Sequence, residues 1–143
     1  MRYSGISDRK DFNVVENIKE FVERNSDGRS GGILFFVGIT REDSYSGKRV
    51  VKLEIETHRE LADRELRKIS KEFKDKFGLN DACIIHGEGE FSPGEVLVLV
   101  ALAARGRKDL FPAMERIIEA YKSRPPIFKK EIYSDGTGEW IRG

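Results

Sequence analysis

The Pro125-Pro126 pair near the end of this 143-residue chain restricts its fold more than any other feature. Proline lacks the N–H that a helix needs, clashes with the preceding turn, and pushes the residue before it out of the helical region. The helical pattern leading to Lys122-Ser123-Arg124 therefore has to stop, and Ile127-Phe128-Lys129-Lys130-Glu131 continues as an extended segment. Lys122 closes the helix and Lys129 starts the strand, with a rigid turn between them, so the two amines can converge on one site. Cations held together lower a lysine's pKa, which makes it a better base or nucleophile near neutral pH.

Apolar periodicity supplies the remaining elements. Asn13 and Glu16 have the spacing of a capping box, and Val15, Ile18 and Val22 follow at helical intervals, which predicts a helix to about Asn25. Ile33 to Ile39 reads as a buried strand. From Arg49 to Thr57, Val51, Leu53 and Ile55 alternate with Lys52, Glu54 and Glu56, a strand with one wet face. Ala62, Leu66, Ile69, Phe73 and Phe77 then mark an amphipathic helix from Arg59 to Phe77, with Gly78 placed for its C-cap. Two strands follow, Ala82 to Gly89 and Val96 to Ala104, the second apolar on both faces and hence central. Asp109 is positioned to cap a helix from Leu110 to Lys122, with Pro112 in its first turn, where a missing N–H costs little. Ile127 to Tyr133 returns as a strand, and Asp135-Gly136 turns toward Glu139-Trp140-Ile141. This order predicts a single domain over residues 1–143. Its class is α+β, a sandwich of helices on a mostly antiparallel sheet.

With 26 Lys and Arg against 25 Asp and Glu, the net charge is +1. No global field favours nucleic acid or an acidic membrane, and any anion site has to be local. Basic residues such as Arg105 and Lys108 lack the interleaved aromatics of a nucleic-acid surface. Neither an apolar run long enough to span a membrane nor a leader pattern is seen, which predicts a cytoplasmic protein. Cys83 is the only cysteine, so no internal disulfide and no cysteine-based zinc site can form. In the apolar run Ala82-Cys83-Ile84-Ile85 it reads as a core thiol. His86 reads as a hydrogen-bonded core histidine, and Phe111 and Trp140 as packing residues.

Several motifs occur together in a fixed order: Phe36-x-Gly38-x-x-Arg41, Leu53-Glu54-x-Glu56, His86-x-x-Gly89-x-Phe91-x-x-Gly94-Glu95, Arg107-x-x-x-Phe111, and the block from Lys122 to Glu131. In this order the chain resembles the MoaE family, the large, catalytic subunit of molybdopterin synthase, over roughly residues 30–143. The resemblance implies an α/β hammerhead-like fold and a homodimer within a heterotetramer. It also implies a reaction in which two sulfurs enter cyclic pyranopterin monophosphate. A small ubiquitin-like subunit would deliver them from a thiocarboxylate at the end of its C-terminal Gly-Gly tail. No cofactor or metal of the chain's own is implied. Carried over by position, Lys122 and Lys129 are the catalytic lysines, Arg41 and Arg107 line the substrate phosphate pocket, and Lys130 and Glu131 complete the substrate-binding block. Arginine offers planar, permanently charged donors for phosphate, whereas lysine can be tuned to exchange a proton. Gly106 stands where the family has His, which raises the alternative of a paralogue that binds a ubiquitin-like tail or a pterin without catalysis.

Overall fold

The computed structural model describes residues 4–141. Its strands are β1 (Gly5–Asp8), β2 (Gly32–Ile39), β3 (Val50–Thr57), β4 (Asp81–Phe91), β5 (Val96–Ala104), β6 (Ile127–Tyr133) and β7 (Gly138–Ile141). The helices are α1 (Val14–Arg24), α2 (Arg59–Phe77) and α3 (Arg107–Ser123), with a 3-10 turn at Arg9–Asp11. The sheet runs β2-β5-β4-β3-β6-β7, with β1 parallel to β4 and every other pairing antiparallel. The predicted α+β class holds, and Asn13 caps α1, its side chain accepting from Glu16 N at 3.0 Å.

A bend in β4 organises the molecule. Its first half pairs with β5 from Asp81 to His86, and its end pairs with β3 from Gly89 to Phe91. Gly89 has φ +124°, in the region that disfavours side chains, and a Cβ on Gly87 would lie 2.5 Å from the Phe91 ring. The glycines of the His86–Phe91 motif therefore let the strand turn from one partner to the next. The motif is a backbone device.

As its pattern predicts, β5 is buried on both faces. Val98, Val100, Leu102 and Ala104 join the core under α2 and α3, while Ala101 and Ala103 pack with Phe21 of α1, Cys83 and Ile85. Cys83 is a buried free thiol. Gly78 ends α2 in the left-handed conformation, φ 63°.

Three expectations are corrected. The strand β1 is absent from the sequence reading. Gly5-Ile6-Ser7-Asp8 has a single large apolar residue, and a parallel partner distant in sequence leaves no local signal. Ile6 is nonetheless fully buried, and its N–H donates to the Asp63 carboxylate at 2.6 Å. The last helix starts at Arg107 with Gly106 as an uncapped N-cap, so Asp109 is a first-turn acid and Pro112 lies past the first turn. Phe111 and Trp140 are not core residues, being 62% and 53% exposed.

Candidate active site

The helix break at Pro125-Pro126 shapes the site. α3 ends at Ser123, and β6 starts at Ile127 and runs antiparallel to β3 with Ile55 opposite Lys129 and Leu53 opposite Glu131. Alternation along β6 turns Lys129 and Glu131 to one face and Lys130 to the other. Opposite them, β2 ends at Ile39, and the next residue, Thr40, is tied to Glu95: its N–H and Oγ1 both donate to the Glu95 carbonyl, at 2.9 and 3.0 Å. Gly38 allows β2 to approach β5 closely, because a Cβ there would lie 2.3 Å from Val98 Cγ1. Arg41 is thereby delivered to the mouth of the same space.

Between these elements lies a cleft of about 490 Å³ whose lining includes Arg41, Tyr45, Tyr121, Lys122, Lys129 and Glu131. Lys122 is exposed and Lys129 half-buried. Burial, and second the nearby Lys122 charge, push the Lys129 amine down from 10.5 to about 8. The tuned amine that the lysine pair suggested is therefore Lys129, the strand lysine, with Lys122 as one of its two causes. Glu131 accepts from the Tyr133 hydroxyl at 2.8 Å, which holds its carboxylate beside the cations. Arg41 faces Asp43, with Nε 3.5 Å from the carboxylate, both groups being exposed.

Behind Lys129 lies His86, fully enclosed, its ring edge-to-face with Tyr121 at 6.0 Å between centroids. Its Nδ1 is 2.9 Å from the Gly87 carbonyl, which identifies Nδ1 as the protonated nitrogen. Burial, followed by the charge of Lys129, lowers its pKa from 6.5 to about 3, only partly offset by the Gly87 carbonyl. The histidine is thus a hydrogen-bonded core residue, packed behind the Tyr121 that lines the cleft. Nothing in the sequence told which side of β4 it faces.

Because the folded state disfavours the protonated imidazole, stability is full above pH 6.5 and falls as pH drops from there toward 3. Urea unfolding should show a loss of about 2 kcal/mol between pH 7 and pH 5, above the range where carboxylates titrate. His86→Asn should flatten that slope, and an unchanged slope in the variant would assign the loss elsewhere.

Two expected members stay outside the cleft. Arg107 is exposed at the start of α3, fifteen positions before Lys122, which is roughly 22 Å along the helix at 1.5 Å per residue. Lys130 lies on the far face of β6, its amine 5.8 Å from the Trp140 ring centroid. Gly106 is also at the distant end of α3, and a Cβ there would meet nothing within 4 Å, so packing does not select glycine. Its substitution for histidine leaves the cations of this cleft in place. Among the described residues, no group of three or more His, Cys, Asp or Glu side chains could hold a metal, and no helix is long and apolar enough to cross a membrane.

The site is thus a cleft between the end of α3 and the β3–β6 strand pair, with Arg41, Lys122 and Lys129 in its lining. The model of the family described as MoaE protein matches residues 7–124, and the chain belongs to that family. It is 36% identical over 127 residues to a molybdopterin synthase catalytic subunit from Pyrococcus abyssi, covering 89% of this chain and 84% of that one. The subunit of the same name from Bos taurus is 35% identical over 78% of this chain, which spans 59% of the bovine length. The crystal structure of molybdopterin synthase from Staphylococcus aureus superposes with a TM-score of 0.87 at 27% identity, over 100% of this chain and 99% of that one. The family match stops short of Lys129, so the placement of that lysine rests on the geometry above.

Proposed function

We propose that this chain is a sulfurtransferase, the catalytic subunit of a molybdopterin synthase. In this reading it moves sulfur from the thiocarboxylated C-terminus of a small ubiquitin-like subunit to cyclic pyranopterin monophosphate. The observation that carries this reading is the half-buried Lys129, with its amine at about 8, next to Lys122 in a cleft that also holds Arg41. Such a site binds an anionic substrate and moves a proton at its reacting carbon while supplying no sulfur itself, and the one cysteine is buried in the core. The relatives' names and the motif order support the same reaction.

The roles divide by exposure. Lys122, at the open end of the cleft, meets the incoming thiocarboxylate, and a tail of two glycines passes where side chains would block an extended backbone. Lys129 works below it as the proton-transferring group, and Arg41 takes the substrate phosphate. Arg107 reaches this cleft only from a second copy of the chain, which makes the homodimer a requirement for its role. We place the enzyme in the cytoplasm.

The test is reconstitution of the full chain with a thiocarboxylated, Gly-Gly-tailed partner and cyclic pyranopterin monophosphate, with molybdopterin as the readout. Arg41→Ala should weaken substrate binding by about 1.5–3 kcal/mol, the scale of a hydrogen bond to a charged group, with thermal stability unchanged. Removal of the two partner glycines should abolish turnover. Product formed at the normal rate without the tail would overturn the proposal.

A further inference from the structure

Tyr45 stands at the rim of the cleft with 94% of its surface exposed. A tyrosine ring carries a large apolar face, and leaving it in water forgoes the burial that usually holds an aromatic in place. Its hydroxyl makes no hydrogen bond among the described residues, so the side chain has no structural partner that accounts for its position.

The backbone beneath it is nonetheless well restrained. Ser44 Oγ donates to the Lys48 carbonyl at 2.6 Å and lies 3.0 Å from Ser46 Oγ. Gly47 N donates to the Ser44 carbonyl at 3.1 Å, and Val50 N to that of Glu42 at 2.7 Å. Gly47 has φ +82°, the conformation that lets the turn reverse so tightly. Lys48 ties the far side of the loop to Asp135 at 3.0 Å. A ring carried on such a turn can meet a ligand without ordering a whole loop first, which lowers the entropic cost of binding.

The lining therefore offers two distinct chemistries. Lys122, Lys129 and Arg41 suit an anionic group, whereas Tyr45 offers a flat π-face to an equally flat partner. Phe111, Phe128 and Trp140, the other exposed aromatics among the described residues, do not line this space.

We propose that Tyr45 is a specificity-determining residue of this site, stacking on the flat pyrimidinone ring of a pterin substrate whose phosphate lies among the cations. The inference rests on the function proposed above, and adds the group that reads the ring system rather than the charge. Stacking needs a π-face and no hydroxyl, so phenylalanine should replace tyrosine and alanine should not.

Calorimetric titration of the full chain with two probes, cyclic pyranopterin monophosphate and inorganic phosphate, tests this. Tyr45→Ala should weaken binding of the pterin roughly 5- to 150-fold, the range for loss of one base–aromatic stack, and leave inorganic phosphate unaffected. Tyr45→Phe should bind both like the unmodified chain. In the reconstituted reaction, Tyr45→Ala should raise KM and leave kcat near normal. Equal pterin affinity in Tyr45→Ala, with turnover of the unmodified enzyme intact, would overturn the stacking role and leave the sulfurtransferase reading standing. A Tyr45→Ala variant that loses affinity for the Gly-Gly-tailed partner instead of the pterin would overturn it as well. Failure of the unmodified chain to bind the pterin would remove both readings together.

Discussion

Replacing Lys129 by arginine should lower sulfur transfer by about two to four orders of magnitude, the usual contribution of a positioned proton-transferring group. Arginine keeps the positive charge and the length, so partner binding and substrate affinity should change little, but a guanidinium cannot give up its proton in the working range. The pH profile carries the diagnostic. With the amine at about 8, Lys129 acting as a base is mostly protonated at neutral pH, so turnover at saturating partner should rise through pH 8 and then level off. In Lys129→Arg that step should disappear together with the rate. Lys122→Arg is the contrast: in the proposed reading this exposed lysine supplies only charge to the incoming tail, so its arginine variant should retain a substantial part of the activity. Near-normal turnover in Lys129→Arg would reduce the lysine to an electrostatic role.

Lys129→Met should make the folded protein more stable at pH 7, by about 2–3 kcal/mol, while destroying activity. The cause is that burial penalises the ammonium form. A lysine whose folded pKa is about 8 and whose ordinary value is 10.5 binds fewer protons folded than unfolded across that window. Stability of the unmodified chain therefore rises as pH increases from 8 to 10.5, and the full cost is present below 8. Methionine has similar length without the charge, so its advantage should be largest at neutral pH and fade above 10.5. Denaturant unfolding of both proteins at pH 7 and pH 10.5 measures it. A variant less stable than the original at pH 7 would mean that Lys129 is well solvated and its amine ordinary. Such a trade of stability for reactivity is what a catalytic site on a stable scaffold requires.

Local signals made most of the elements legible. The bounds of α2 from Arg59 to Phe77 follow from its apolar stripe and from Gly78, and the turn at Pro125-Pro126 follows from proline's missing donor. β5 showed itself as central because both of its faces are apolar, the direct imprint of helices on either side. In contrast, β1 carries little more than Ile6, and the parallel pairing that stabilises it lies with residues 85–88, far along the chain. The start of α3 lies ahead of the expected one because Gly106 supplies no capping side chain, and Asp109 is the nearest cap visible in the sequence.

For the site, the chain by itself determined that Lys122 and Lys129 stand on either side of a helix break and that no other cysteine can serve the chemistry, whereas Lys130, expected in the substrate-binding block, turns away toward Trp140. These depend on backbone constraints and on strand periodicity, which act over a few residues. Only the tertiary structure decided which lysine is tuned, because desolvation depends on the walls that β2, β3 and Tyr121 build around Lys129. It also decided that His86 backs the cleft as a neutral ring, that Tyr45 stands at its rim, and that Arg107 lies at the opposite end of α3. Distances between residues remote in sequence, and the dielectric around a buried amine, are properties of the packed chain and leave no periodic trace in the order of its residues.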